Sequence, residues 1–310
     1  MLVPALGMVL VPKAVRDYVA GLPHPTGLMG CRAAGEMSHP CCEYDIAVFG
    51  QGENRLEKVD GHIIELVHIS RPKDHLVALR DMSIIKDSKA FSISSTLKGI
   101  ADEKDEKFKK ALFASGRKAL VSSLFCQQKF KLIAKKKDDE QQQVAGAMWL
   151  KMASYHLVAG TLAIFGARPM PLHELAQARQ ADLPADAADG VQAALECIGI
   201  ERATRPAIAR STEAMMELKS KDYDKELVRV KVEHLLEKSM LADCYYYAGR
   251  VAAENLATRN DAFFRRYAKL VQLAMDLSSD EQRLEKLRKS LSLAAKSGLK
   301  TTVDDTTTFS

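Results

Sequence analysis

The chain of 310 residues carries a formal charge of +5 and is 47% hydrophobic and 27% charged. That composition excludes a wholly disordered chain, and the length accommodates two domains with a core apiece. So modest a positive charge favours anionic ligands in general but falls short of the footprint of a dedicated nucleic-acid binder. The six cysteines, Cys31, Cys41, Cys42, Cys126, Cys197 and Cys244, include no C-x-x-C pair, and adjacent Cys41 and Cys42 are poorly placed to bridge each other. Reduced thiols in a cytoplasmic protein are therefore expected.

In chain order, the apolar residues 1–11 have no basic segment before them and are interrupted by Pro4, with Pro12 following, so no signal peptide is expected. Residues 11–22 have helical spacing and end at Pro23-His24-Pro25, and 26–30 form a short strand leading into a turn. Two strands follow at 43–49 and 62–69, joined by the polar connector Gly50-Gln51-Gly52-Glu53-Asn54 and its continuation; Arg71-Pro72 then opens a helix to about 81. Beyond 92 the chain is rich in Ala, Leu, Lys and Glu. Helices are expected over 105–134, from 144, from 172, and over 185–197, 207–218, 223–259 and 261–296. A charged, Gln-rich break at 135–143 reads as a solvated connector, and the Thr-rich tail at 301–310 as frayed. The most apolar window, 144–165, holds Lys151, Tyr155 and His156 near its middle; a bilayer would penalise them, so it is read as a bundle helix and no membrane is expected. The fold class is α+β: an N-terminal mixed sheet with helices over 1–100, an α-helical bundle over 101–300, and a flexible tail at 301–310.

Chemistry concentrates in Gly27-Leu28-Met29-Gly30-Cys31-Arg32-Ala33-Ala34-Gly35-Glu36 and in Cys42-Glu43-Tyr44-Asp45. Alternate side chains of a strand share a face, so Glu43 and Asp45 project together where the second strand begins. Paired carboxylates suit hard divalent cations such as Mg2+, whose other positions water and substrate phosphates fill. The small residues upstream let backbone N–H groups approach a phosphate, and Arg32 adds charge-assisted hydrogen bonds. Glu65, between Ile64 and Leu66, is a third carboxylate that an adjacent strand brings to the same ion. Asp60 is a rival third ligand, and pairing of Glu65 with His62 or Arg71 is the structural alternative.

At these residues the chain resembles the nucleotidyltransferase superfamily that includes DNA polymerase beta, the aminoglycoside nucleotidyltransferases and the small MNT-type proteins. The family pattern is Gly-Ser, often followed by Arg-Ala-x-Gly-Glu, then Ser-Asp-x-Asp at a strand head and a further acid on a later strand. Gly30-Cys31-Arg32-Ala33-Ala34-Gly35-Glu36 matches the first part, Cys42-Glu43-Tyr44-Asp45 stands at the second, and Glu65 fills the third. The resemblance, over about 26–70, implies that Gly30, Cys31 and Arg32 hold the triphosphate of ATP or another NTP. It further implies that Glu43 and Asp45 bind two Mg2+ ions and that Glu65 completes the metal site or acts as base. The implied activity is transfer of a nucleoside monophosphate to an acceptor hydroxyl on a small molecule, a protein or an RNA. Two departures bear on competence: Cys31 replaces the usual Ser and Glu43 the usual Asp. A catalytically degenerate nucleotide-binding regulator or scaffold is the alternative. Residues 145–184 are similar to the helical domain of kanamycin-type enzymes, mainly through common helix formers.

Blander readings apply elsewhere. Arg32 one helical turn from Glu36 makes an ion pair; His156 and His173 read as core histidines; Tyr245-Tyr246-Tyr247 reads as packing. Arg229 and His234 have the R-x4-H spacing of HEPN ribonucleases, which supplies a third alternative, a nucleic-acid-processing protein with a HEPN-like helical half. The extensive amphipathic helix leaves a homodimer open.

Overall fold

In a computed structural model, residues 11–35, 37–88, 104–134, 140–218, 224–278 and 280–301 are described. The chain divides into two compact units, Met1–Ala111 and Leu112–Ser310. The first carries a five-stranded mixed sheet and the second is helical, the α+β class expected from the sequence.

The first unit begins with α1 (Lys13–Ala20), which starts behind Pro12, a residue whose fixed φ suits helix entry. Its Val15 and Val19, one turn apart, are fully buried, whereas Arg16 and Asp17 face solvent. Strand β1 (Thr26–Met29) is followed directly by α2 (Gly30–Ala34). Next come β2 (Tyr44–Val48), β3 (Arg55–Val59) and β4 (His62–His68). A 3-10 turn at Pro72–His75 leads into α3 (Leu76–Leu79), and β5 (Ser83–Lys86) closes the unit. The sheet order is β3-β4-β2-β1-β5. Strands β2 and β4 are parallel, and the other pairs are antiparallel.

Alternation divides the sheet into two apolar faces. Leu28, Tyr44, Ile46, Val48, Ile64 and Leu66 pack with Val15 and Val19 of α1. Met29, Ala47, Phe49, Ile69 and Leu79 form the core on the other side. The turn joining β3 to β4 has φ of 47° at Asp60 and 77° at Gly61, the paired left-handed residues of a tight two-residue hairpin. Lys86 Nζ donates to the carbonyls of Ala20 and Leu22, placing a cation at the C-terminal end of α1.

Strands β3 and β5 are not among the elements expected from the sequence. Both lie at sheet edges, and β3 is charged and partly exposed, which suits an edge but hides the period-2 signal. The helix expected to reach about 81 ends at Leu79 and begins with the 3-10 turn.

The helical unit contains most of α4 (Lys104–Ala134), then α5 (Glu140–Ile164), α6 (Glu174–Gln180), α7 (Ala185–Ile198), α8 (Arg205–Glu217), α9 (Lys225–Glu237), α10 (Leu241–Ala257), α11 (Asp261–Met275) and α12 (Glu281–Lys300). Helix α5 is buried along most of its length, with Met148, Leu150, Ala153, Val158 and Leu162 fully enclosed. A Cβ on Gly116 of α4 would stand 2.9 Å from the Gly160 carbonyl of α5, so the two backbones meet at glycine. Lys151, also on α5 and buried, donates to the Met275 carbonyl at 2.6 Å and to Tyr245 Oη at 3.3 Å. Burial and neighbouring Arg202 lower its pKa to about 7.

Two expected long helices are each broken. The helix read over 223–259 gives way to α9 and α10 at Ser239, φ 57°, and the one over 261–296 to α11 and α12 at Asp276, φ 44°. Ser and Asp are weaker sequence signals for a left-handed stop than Gly, so the sequence pattern runs on through both breaks. The expected connector at 135–139, most of the N-terminal apolar stretch, residue 223 and the tail beyond 301 lie outside the described residues. Among the described residues, no helix is long and apolar enough to cross a membrane.

Candidate metal centre

Three strands and one turn assemble the site. Asp45 of β2 lies opposite Glu65 of β4 in the parallel register and opposite Met29 of β1 in the antiparallel one. Glu43, two residues before Asp45, shares its face. One oxygen from each of Glu43, Asp45 and Glu65 falls within 4.8 Å of the others, and all three residues are half-buried. Asp60 sits in the β3–β4 turn, outside this convergence. His62 stacks edge-on against Tyr44, ring centroids 5.5 Å apart, on the sheet face opposite Glu65.

Gly30 sits directly against these acids. It has φ 76°, and a Cβ built on it would lie 1.7 Å from Asp45 Oδ2. Glycine is required there both by the left-handed backbone and by the approach of the carboxylate. The turn and the strand head are thus neighbours, as the sequence pattern demands.

Arg32 has a role that its spacing did not reveal. Its Nε donates to the carbonyls of Cys42 at 2.9 Å and Glu43 at 3.2 Å, and Nη2 donates to Pro40 at 3.0 Å and Cys42 at 2.5 Å. Its guanidinium also lies 4.0 Å over the Tyr44 ring. These donors fasten the segment before β2 to α2. Its suggested partner Glu36 lies outside the described residues. The segment itself turns tightly, with Cys42 N–H donating to the His39 carbonyl at 3.0 Å across Pro40 and Cys41. Pro40 was the available sequence signal for this turn.

The Sγ atoms of Cys31 and Cys42 lie within 4.8 Å of each other. The Cys31 thiol is pushed up, first by its hydrogen bond to Cys42, then by burial and by the repulsion of Asp45 and Glu43. Cys42 is buried and accepts a hydrogen bond from His39 N–H at 3.3 Å.

In the helical unit, Tyr245, Tyr246 and Tyr247 are buried, the packing role expected for them. Tyr246 Oη donates to Glu174 Oε2 at 2.7 Å, and Glu174, fully buried, also pairs with Arg250. The pKa of His156 is lowered by burial and then by Arg250. His173 is buried just before α6. Arg229 is exposed and His234 half-buried on α9; five residues apart, they project about 140° from each other around the helix.

No protein-family model and no curated protein sequence matches the chain. Among solved structures it is similar to a nucleotidyltransferase-like protein from Exiguobacterium sibiricum 255-15, at 14% identity over 86% of this chain and 87% of that one, with a TM-score of 0.34. A likeness of that size transfers neither a residue role nor an activity, and the site stands on its own geometry.

Proposed function

We propose that this chain is a Mg2+-dependent nucleotidyltransferase, moving a nucleoside monophosphate from a triphosphate, ATP by the sequence resemblance, to an acceptor hydroxyl. The observation that carries this reading is the convergence of Glu43, Asp45 and Glu65 oxygens within 4.8 Å, against a glycine turn with no room for a side chain. An all-oxygen, carboxylate-rich donor set fits Mg2+ better than a softer ion, and all three acids would share in holding it. When bound, Mg2+ neutralises charge on phosphate oxygens and lowers the pKa of a bound hydroxyl.

The chain's own residues then divide the work. Gly30 admits the Asp45 carboxylate beside the turn, and Cys31 contributes its backbone N–H while lacking the hydroxyl of the usual Ser. Asp45 and Glu43 fix the position of the transferred group, and Glu65 either completes the carboxylate set or accepts the acceptor hydroxyl's proton. Arg32 is a positioning residue in this reading, since the carbonyls it holds at Cys42 and Glu43 set where the Glu43 side chain begins. In-line attack on the α-phosphorus would form the new P–O bond as pyrophosphate leaves.

A second reading, a nucleotide-binding member without catalysis, draws support from Arg32, two of whose nitrogens are engaged by carbonyls, and from Cys31, which faces another thiol. Calorimetric titration with ATP, with and without Mg2+, tests what the two share. Binding unchanged in Glu43→Ala plus Asp45→Ala removes the metal role. A radiolabelled transfer assay against cell extract separates the two, because tight binding with no labelled product favours the silent form.

A further inference from the structure

We propose that Cys31 and Cys42 are a redox pair whose reversible disulfide locks the Gly30 turn to the head of β2 and closes the candidate site to nucleotide. This rests on the nucleotide-site reading above and adds regulation to it.

Two chain segments present the thiols. Cys31 is the second residue of α2, immediately after the positive-φ Gly30. Cys42 ends the tight His39-Pro40-Cys41-Cys42 turn, with its sulfur oriented by the His39 N–H. Arg32, next to Cys31, already joins these segments through its bonds to the Cys42 carbonyl at 2.5 and 2.9 Å. The sulfurs therefore face each other within 4.8 Å, bound into one bridged unit before any covalent bond exists. Side-chain rotation, aided by a small backbone shift, brings such a pair to bonding distance.

Cys31 is half-buried and Cys42 buried, so an incoming small-molecule disulfide reaches the pair from the Cys31 side. The attacking form is a thiolate, so the step begins when one sulfur of the pair gives up its proton. That sulfur attacks the reagent, forming a mixed disulfide and releasing one thiol. The other sulfur, deprotonated in turn, attacks the mixed disulfide, forming the Cys31–Cys42 bond and releasing the second thiol. Two S–H bonds of the protein are exchanged for one S–S bond while the reagent's S–S bond becomes two S–H bonds, so atoms and electrons balance. Cys126, Cys197 and Cys244 are buried on three separate helices, α4, α7 and α10, and do not share this arrangement.

The consequence for the site is local. Cys31 stands in the turn assigned to the phosphates, and Cys42 is bonded in sequence to Glu43. A covalent tie between them shifts both sides of the site together, and displacements of about 1 Å at such centres cost on the order of a hundredfold in function. The reduced pair thus leaves the site open, and the bridged pair closes it.

The test uses the full chain, fully reduced and then equilibrated in buffers of reduced and oxidised glutathione. Intact mass and peptide mapping are expected to show loss of two hydrogens and a Cys31–Cys42 peptide, reversed by dithiothreitol. Cys31→Ser and Cys42→Ser should each abolish that bridge, and Cys126→Ser should retain it. ATP affinity in Mg2+, by calorimetry, is expected to fall about tenfold or more on bridging and to return on reduction. A chain that forms only mixed disulfides, or bridges other cysteines, overturns the pairing. A bridge that leaves ATP affinity unchanged overturns the switch. If the bridge forms but neither redox form binds ATP, the nucleotide-site reading has failed and takes the switch with it, while mass mapping still records the pairing.

Discussion

The Asp45 carboxylate occupies the space that a side chain at position 30 would need: a Cβ there would stand 1.7 Å from Oδ2, on a backbone with φ 76°. Gly30→Ala should therefore both strain the turn and displace the acid. A left-handed conformation alone costs about 1–2 kcal/mol for a residue with a Cβ, and the displaced carboxylate adds to it. The variant should melt earlier in denaturant and lose Mg2+-dependent ATP binding, whereas Gly35→Ala, with φ 82° but open space around it, should show only the backbone penalty.

Glu43, Asp45 and Glu65 bring one oxygen each to within 4.8 Å of the others, a donor set that a divalent cation would join. Mg2+ at a hundred times its dissociation constant should stabilise the wild type by about 2.7 kcal/mol in thermal or denaturant melts. In Asp45→Asn plus Glu65→Gln the Mg2+ effect should vanish. Transferase activity of either single amide variant should fall about a hundredfold. Unchanged Mg2+ stabilisation in the double variant would remove these acids from the site.

Arg32 makes four donor contacts to three carbonyls in the 40–43 segment and stacks on Tyr44. Arg32→Ala should destabilise the first unit by about 1–3 kcal/mol. Arg32→Lys should recover little of this, because an ammonium cannot reproduce the planar fork. Hydrogen exchange at residues 39–43 is the direct readout, and protection there that persists in Arg32→Ala would contradict the bracing role.

Lys151 gives the helical unit a pH dependence. Its folded-state pKa is lowered to about 7 by burial, with Arg202 in the same direction and Asp276 opposing, while the unfolded chain keeps the ordinary value of 10.5. Between those values the unfolded state holds a proton that the folded state has released, so stability rises with pH through the window. Below pH 7 both states are protonated and the full penalty, on the order of 5 kcal/mol, remains. Lys151→Met should flatten the rise between pH 7 and 10 and stabilise the protein at pH 6, measured by urea melts across pH.

Which parts were legible follows from where the signals were strong. Glu43 and Asp45 on one face could be read from strand alternation, and Glu65 from an acid flanked by Ile64 and Leu66. Their meeting required β2 and β4 to be neighbours, and the intervening β3 concealed that by being charged and half-exposed. Helix α5 was recognisable from its apolar length, and its start simply lay a turn earlier than read. Ser239 and Asp276 stop helices in a conformation that glycine usually advertises, so two long helices were read where four exist. The bracing role of Arg32 and the facing thiols depend on how the 39–42 turn folds back, a tertiary relationship that spacing alone does not encode.

The parallel register of β2 with β4 ties assembly of the acids to formation of the core. Ile64 and Leu66 are buried on one side of β4, so the chain has no option but to aim Glu65 to the other, opposite Asp45. A slip of one residue would reverse every side chain on the strand, exposing two large aliphatics and burying a carboxylate. Burial of neighbouring hydrophobes thereby decides where the acids meet, and mutations that loosen Ile64 or Leu66 should scatter the acids without touching any of them.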